Sequence, residues 1–286
     1  MASDSVDYAG LRLEELNYSS YLRVPELLDL QHEISEPPHR DEMFFIVIHQ
    51  SFELWFKEIL HETDVLVEYL QRDKVSRALK VVKRVAAILA NLSDQIQLLA
   101  TLTPVEFAGF RDRLRPASGF QSVQFREIEF AFGLQDRFFL EFFRKDPLAL
   151  ARLEARLGAP SVYDEFLGAL SRTGVAVPDG LLQTGAVGPR ESDSELVEAL
   201  CQLYWAPGEN YHWVLLCEAL LDLDTLFRKW RAVHVLMVAR TIGTQSGTGG
   251  SAGHRFLESR LPHRFFPELW EVRNAIHARV EGEREG

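Results

Sequence analysis

Two cysteines, Cys201 and Cys217, are all that a chain of 286 residues contains. That scarcity excludes a disulfide framework and a thiolate zinc centre, and it suits a reducing cytosol. Long apolar runs are missing too, because charge interrupts each one well short of the ~18 residues of a membrane span. The opening MASDSVDYAG has neither the basic stretch nor the apolar stretch of a secretory signal. Basic charge is in deficit: 31 Lys and Arg against 42 Asp and Glu leave a net charge of −11. Nucleic acid and anionic membranes, both polyanions, are therefore excluded as main partners. There is no H-E-x-x-H, no C-x-x-C, and no Lys-Ser/Thr after a glycine run. Strand-like alternation is nearly absent, and no repeat is present. These absences point to a cytoplasmic protein without a membrane segment.

Helical periodicity fills the space that remains. Hydrophobic residues at 47% and charged residues at 26% are ordinary for a globular chain, whereas 19 phenylalanines are many and imply broad aromatic surfaces. DEMFFIVIHQSFELWFKEILHETDVLVEYLQRD starts at Asp41, a candidate N-cap, and keeps apolar spacing for many turns. VSRALKVVKRVAAILANLSDQIQLLATL follows with the same period. TLTPVEFAGFRDRLRPASGF reads as turn, short helix and loop, with Pro104 near a helix start and Pro116 ending one. FQSVQFREIEFAFGLQDRFFLEFFRKD is expected to be a third long helix. Residues 172–192 are expected to be a loop or insertion. Helix resumes at Ser194, breaks at Pro207–Gly208, and runs from Tyr211 to about Ile242. From Glu209 to Ile242 that is roughly 50 Å at 1.5 Å per residue. The expected fold is all-α, a single domain of long helices over residues 1–286.

Three places in this pattern bear chemistry. His49 lies within the first apolar helix, sharing its face with Phe45 one turn before and with Phe52 and Glu53 one turn after. A core tolerates a neutral imidazole held by one hydrogen bond, so His49 is either such a residue or a polar group aimed into a cavity built for something flat. His234 sits on an apolar face near Trp230, Leu236, Met237 and Val238, and beyond its helix comes SGTGGSAG. Such a loop lets backbone amides approach a ligand closely, and it also occurs simply as a flexible connection. Arg111 stands among Phe107 and Phe110, where it could pair with a ligand carboxylate or with a helix acid. His32, His39, His49 and His61 with Glu33, Glu36, Glu58 and Glu62 do not form the recurring Glu-x-x-His pairs of a di-iron bundle.

LNYSSYLRVPELL, SEPPHRDEMFFIVIHQSFELWFKEILHE, LTPVEFAGFRDRLRPASGFQS and the His234 helix followed by SGTGGSAG, taken in this order, resemble the tryptophan 2,3-dioxygenase family. Its members are haem enzymes that open the indole ring of L-tryptophan to give N-formylkynurenine. The four blocks cover about residues 16 to 270. The resemblance implies haem b and assigns His234 as axial ligand of the haem iron. It makes His49 the distal histidine that meets the indole N–H, Phe45 the ring packed on the indole, and Arg111 the partner of the substrate carboxylate. Thr248 matches a hydroxyl near the substrate's ammonium and carboxylate, Ser118 a serine near haem and substrate, and Phe107 a wall of the pocket. Tyr18 and Tyr21, within an N-terminal segment of residues 1–22, match tyrosines that reach a neighbouring subunit's site. A homotetramer is implied as well.

Some positions depart from the family's pattern. YSSY stands for Tyr-Gly-x-Tyr, Ile96 for a tryptophan of some bacterial members, RAVH for Arg-aromatic-Arg-His, and Ala252 for a second serine. The axial histidine and the arginine remain. The implied partners are O2 and L-tryptophan or a ring- or β-substituted tryptophan. The readings to separate are ring cleavage, insertion of one oxygen to give an oxindole, and non-catalytic haem or indole sensing.

Overall fold

Ile48, Phe52, Phe56, Ile59, Leu66 and Leu70 recur at intervals of three, four and seven, which puts all six on one helix face. They form the buried side of Glu42–Gln71. Val75, Ala78, Val82, Val85, Leu89, Leu92, Ile96 and Leu99 alternate steps of three and four without a fault, and they bury the inner stripe of Val75–Leu99. Trp213, Leu216, Leu220, Leu223, Phe227 and Trp230 do the same in Tyr211–Ile242. Each such side chain contributes about 1.5–3 kcal/mol on full burial.

The computed structural model describes residues 16–182, 188–243, 245 and 253–285. Its α-helices in chain order are α1 (Tyr18–Leu22), α2 (Val24–Leu28), α3 (Glu42–Gln71), α4 (Val75–Leu99), α5 (Pro104–Arg111), α6 (Val123–Ala131) and α7 (Phe138–Phe142). They continue as α8 (Pro147–Gly158), α9 (Val162–Arg172), α10 (Ser194–Trp205), α11 (Tyr211–Ile242), α12 (His254–Ser259) and α13 (Pro267–Glu285). No strand occurs among the described residues, which hold one isolated bridge between Gln135 and Gly188. The fold is all-α. α4 packs most extensively against α11 and then against α3, while α6 and α9 also lean on α3. Among the described residues no single helix is long and apolar enough to cross a membrane.

The interruption at Pro207–Gly208 is present: a 3-10 turn, Gly208–Asn210, separates α10 from α11. The expected third long helix is not. It stops after Ala131 because Gly133 takes φ +102, and the Leu134 N–H then bonds the Glu129 carbonyl at 2.8 Å while the Gly133 N–H bonds Phe130 at 3.0 Å. That pair of bonds is the Schellman ending, which glycine favours because a left-handed residue is needed there. In the expected loop, residues 173–182 carry only the turn Asp179–Leu181.

Helix beginnings divide into two kinds. Thr103 caps α5 through a reciprocal pair with Glu106, accepting from its N–H at 3.3 Å and donating its own N–H to the carboxylate at 2.8 Å. Asp41 precedes α3 but makes no side-chain cap, since its backbone is already near-helical at φ −91, ψ −2. Glu42 turns back instead, accepting the N–H groups of Ile34 at 2.8 Å and Ser35 at 3.1 Å, together with the Ser35 hydroxyl. Gln31 and Gln50 are joined at 2.6 Å, so residues 30–42 are strapped along the start of α3.

Candidate active site

α3, α5 and α11 converge with the turn Gly119–Gln121, α6 and α12 around a cavity of about 250 Å³. α3 places Phe45, His49, Phe52 and Phe56 in its wall, one turn apart or nearly so. α5 adds Phe107 and Arg111, and α11 adds Trp230, His234 and Thr241. The wall is strongly aromatic. Phe45 lies 4.0 Å from the His49 ring and 5.6 Å from Phe107, centroid to centroid. Beyond His49, rings follow through Phe52, Phe56, Phe125 and Trp230 to His234, with Trp230 stacked on His234 at 5.2 Å. Both histidines thus face one apolar chamber.

Their protonation follows from this placement. His49 Nδ1 lies 2.7 Å from the Phe45 carbonyl oxygen. A carbonyl only accepts, so Nδ1 carries the proton and Nε2 of the neutral ring is left as an acceptor. Burial depresses the His49 pKa, outweighing the Phe45 bond and the charge of Glu53. Burial likewise pushes His234 down, to about 4, with the charges of His49 and Arg126 adding to the effect. Both rings line the cavity, and near neutrality each is an uncharged imidazole.

Arg111, the last residue of α5, is buried with its side chain in the cavity wall. Its Nη1 donates to Gln245 Oε1 at 2.9 Å. Ser118 lines the cavity too and accepts the Phe120 N–H at 3.3 Å, capping the turn Gly119–Gln121. Thr248 lies outside the described residues. Tyr18 and Tyr21 stand apart from the cavity wall on α1, 78% and 64% exposed. The structure therefore brings His49, Phe45, Phe107, Arg111, Ser118 and His234 together, and leaves both tyrosines facing outward.

A second group of charges went unread in the sequence. Arg126, Glu129, Arg231 and Arg260 also border the cavity and are all buried. Glu129 accepts from Arg126 and Arg231 at 2.6 Å each, and Arg260 donates to Asp136 at 2.7 Å. Burial would raise the Glu129 pKa, but Arg126, Arg231 and Arg260 outweigh it and bring the group to about 2. The signal was the pair Arg126 and Glu129, three apart among apolar residues in QFREIEF. Gln245 had no such signal, because its partner is 134 residues away.

His234 offers what a haem needs in an axial ligand, a neutral imidazole stacked on one ring and facing a cavity. Phe52, Phe56, Phe125 and Trp230 offer flat apolar faces to a flat macrocycle. Among the described residues no group of three or more His, Cys, Asp or Glu could hold a bare metal ion.

Comparison with known proteins agrees with the motifs. The family model described as tryptophan 2,3-dioxygenase matches residues 4–151 and 189–276. A tryptophan 2,3-dioxygenase of Saccharopolyspora erythraea is 45% identical over 262 residues, 92% of this chain and 93% of that protein. One from an Arthrobacter species is 43% identical over 261 residues, covering 91% and 92% of the two chains. One from Xanthomonas campestris is 43% identical over 261 residues, covering 91% and 88%. With matches of this extent falling on the motifs that build the cavity, the chain belongs to the tryptophan 2,3-dioxygenase family.

Proposed function

We propose that this protein is a haem-dependent oxygenase that cleaves the indole ring of L-tryptophan with O2, giving N-formylkynurenine. The observation that carries the proposal is the meeting of two neutral imidazoles, a buried guanidinium and an aromatic wall in one cavity. Its relatives bear the name of that activity. His234 would hold the iron of haem b, with Trp230 and Phe125 beside it. When bound, the haem would supply the activation of O2 that side chains cannot provide.

The chain's own residues bind and orient. His49 Nε2 accepts the indole N–H, and because Nδ1 is already held by Phe45 the imidazole cannot turn away. Phe45 and Phe107 flank the flat ring. Arg111 pairs with the substrate carboxylate at the far end. No strong base is required, since the indole N–H is a very weak acid and His49 need only hold it. Fixing both ends of the amino acid orients C2 and C3, and the apolar wall excludes water. Tyr18 and Tyr21, exposed on their own subunit, are proposed to complete a neighbour's site in a homotetramer located in the cytoplasm.

The test is turnover of the reconstituted ferrous protein with L-tryptophan under ¹⁸O2, the product being weighed. Two labelled oxygens in a ring-opened product are expected. One labelled oxygen in an oxindole would overturn the cleavage assignment. A tryptophan-dependent spectral change without oxygen consumption would overturn catalysis itself. A β-methyltryptophan turned over far better than tryptophan would replace the substrate.

A further inference from the structure

Gln245 is three residues past the end of α11, where its N–H bonds the Ile242 carbonyl at 3.3 Å. The residue is exposed, at the outer edge of the structure around Arg111, which is itself buried in the cavity wall. The amide oxygen takes a hydrogen bond from Arg111 Nη1 at 2.9 Å. A guanidinium has five donors in a rigid plane, so one fixed bond limits how that plane can turn. The acceptor is also neutral. An amide can orient an arginine without cancelling its charge, whereas a carboxylate at the same position would compete with any carboxylate in the cavity.

The geometry points to Gln245 as a positioning residue that sets selectivity for a carboxylate-bearing ligand. It holds the plane of Arg111 as a full cation directed at an α-amino acid's carboxylate. The inference rests on the reading of Arg111 as the carboxylate partner. It predicts that selectivity between indole ligands with and without a carboxylate depends on a residue at the end of α11.

The experiment is calorimetric titration of the haem-loaded protein under nitrogen, with tryptophan and with tryptamine as separate probes. Gln245→Leu should raise the tryptophan Kd by roughly three- to tenfold, the scale of one typical intramolecular hydrogen bond. Tryptamine should bind as before. Gln245→Glu should weaken tryptophan by more than roughly tenfold, since a fixed negative charge then occupies Arg111. Tryptamine, a cation without a carboxylate, should bind at least as tightly as before. This divergence is one that a merely structural role does not produce. Equal changes for the two probes in either variant, or no change in both, would overturn the inference. Arg111→Leu is titrated alongside. If it weakens tryptophan selectively while the Gln245 variants do nothing, Gln245 is dismissed and Arg111 keeps its role. If Arg111→Leu affects both probes equally, the carboxylate reading fails and takes the inference with it.

Discussion

A backbone carbonyl decides what His49 is able to do. With Nδ1–H given to Phe45 at 2.7 Å, the free nitrogen accepts, and only a ligand with a donor is well met. The depressed pKa keeps that acceptor available below the ordinary value of 6.5. Because the folded pKa lies under the reference, the useful neutral form prevails above it and is lost only as pH falls through it. Tryptophan affinity under nitrogen is therefore expected to stay flat from about pH 8 to about 6.5 and to weaken only at lower pH. A midpoint for the loss at or above 6.5 would contradict the depression of the His49 pKa by burial. The two histidines should also separate by mutation. His234→Ala is expected to abolish stoichiometric haem uptake, read from the haem-to-protein ratio. His49→Ala should keep its haem and lose about 10- to 100-fold in turnover, the scale of a lost orienting contact. If instead the His49 variant lost haem, the axial assignment would be reversed.

Helices differ in how plainly the sequence announces them. α3, α4 and α11 were legible because each repeats apolar residues mostly at three and four over roughly five to seven turns. The end of α6 was not, because Phe138, Phe139, Phe142 and Phe143 continue an apolar pattern beyond the true stop. The glycine within that pattern was the correct signal. At Gly133 an added Cβ would come within 3.0 Å of Tyr163 Cβ and 3.3 Å of Ser161 Oγ, at φ +102. Gly133→Ala should accordingly cost about 1–3 kcal/mol, from left-handed backbone strain and overpacking together. Urea unfolding measures it, and a cost under ~0.5 kcal/mol would show that the turn relaxes freely. The site was legible in the same uneven way. His49, Arg111 and His234 stood out as polar residues on apolar faces, but their shared cavity depends on how α3, α5 and α11 cross, which local spacing does not encode.

Across the whole molecule, the buried ion pairs beside the cavity join α6 to α11, and α12 to the segment after α6. Glu129→Gln would leave Arg126 and Arg231 buried against a neutral amide. A loss of about 3–5 kcal/mol is expected, as for other buried pairs deprived of one partner. Since the Glu129 pKa is lowered from 4.5 to about 2, its contribution is complete above 4.5 and is lost as pH falls toward 2. The gap between wild type and Glu129→Gln should narrow over that window; a gap independent of pH would assign the loss to packing. The N-terminal segment behaves differently. α1 buries none of its residues, so removal of residues 1–21 should leave the far-ultraviolet circular dichroism and melting curve of the helical body nearly intact. Activity is expected to drop by at least ~10-fold if Tyr18 and Tyr21 complete a neighbour's site. Full activity after truncation would exclude them from it.

His234 and Thr241 both border the cavity from α11, seven residues apart, which is within about 20° of two full turns. The chain leaves the helix just afterwards and reaches Arg111 through Gln245. Under the proposed function, the group that would hold the iron and the group that meets the carboxylate would be kept in phase by a count of residues along α11. Loss of one residue between them would swing everything downstream by about 100° and draw it back about 1.5 Å. A one-residue deletion in this segment is therefore expected to cost more than a substitution at a position that faces away from the cavity.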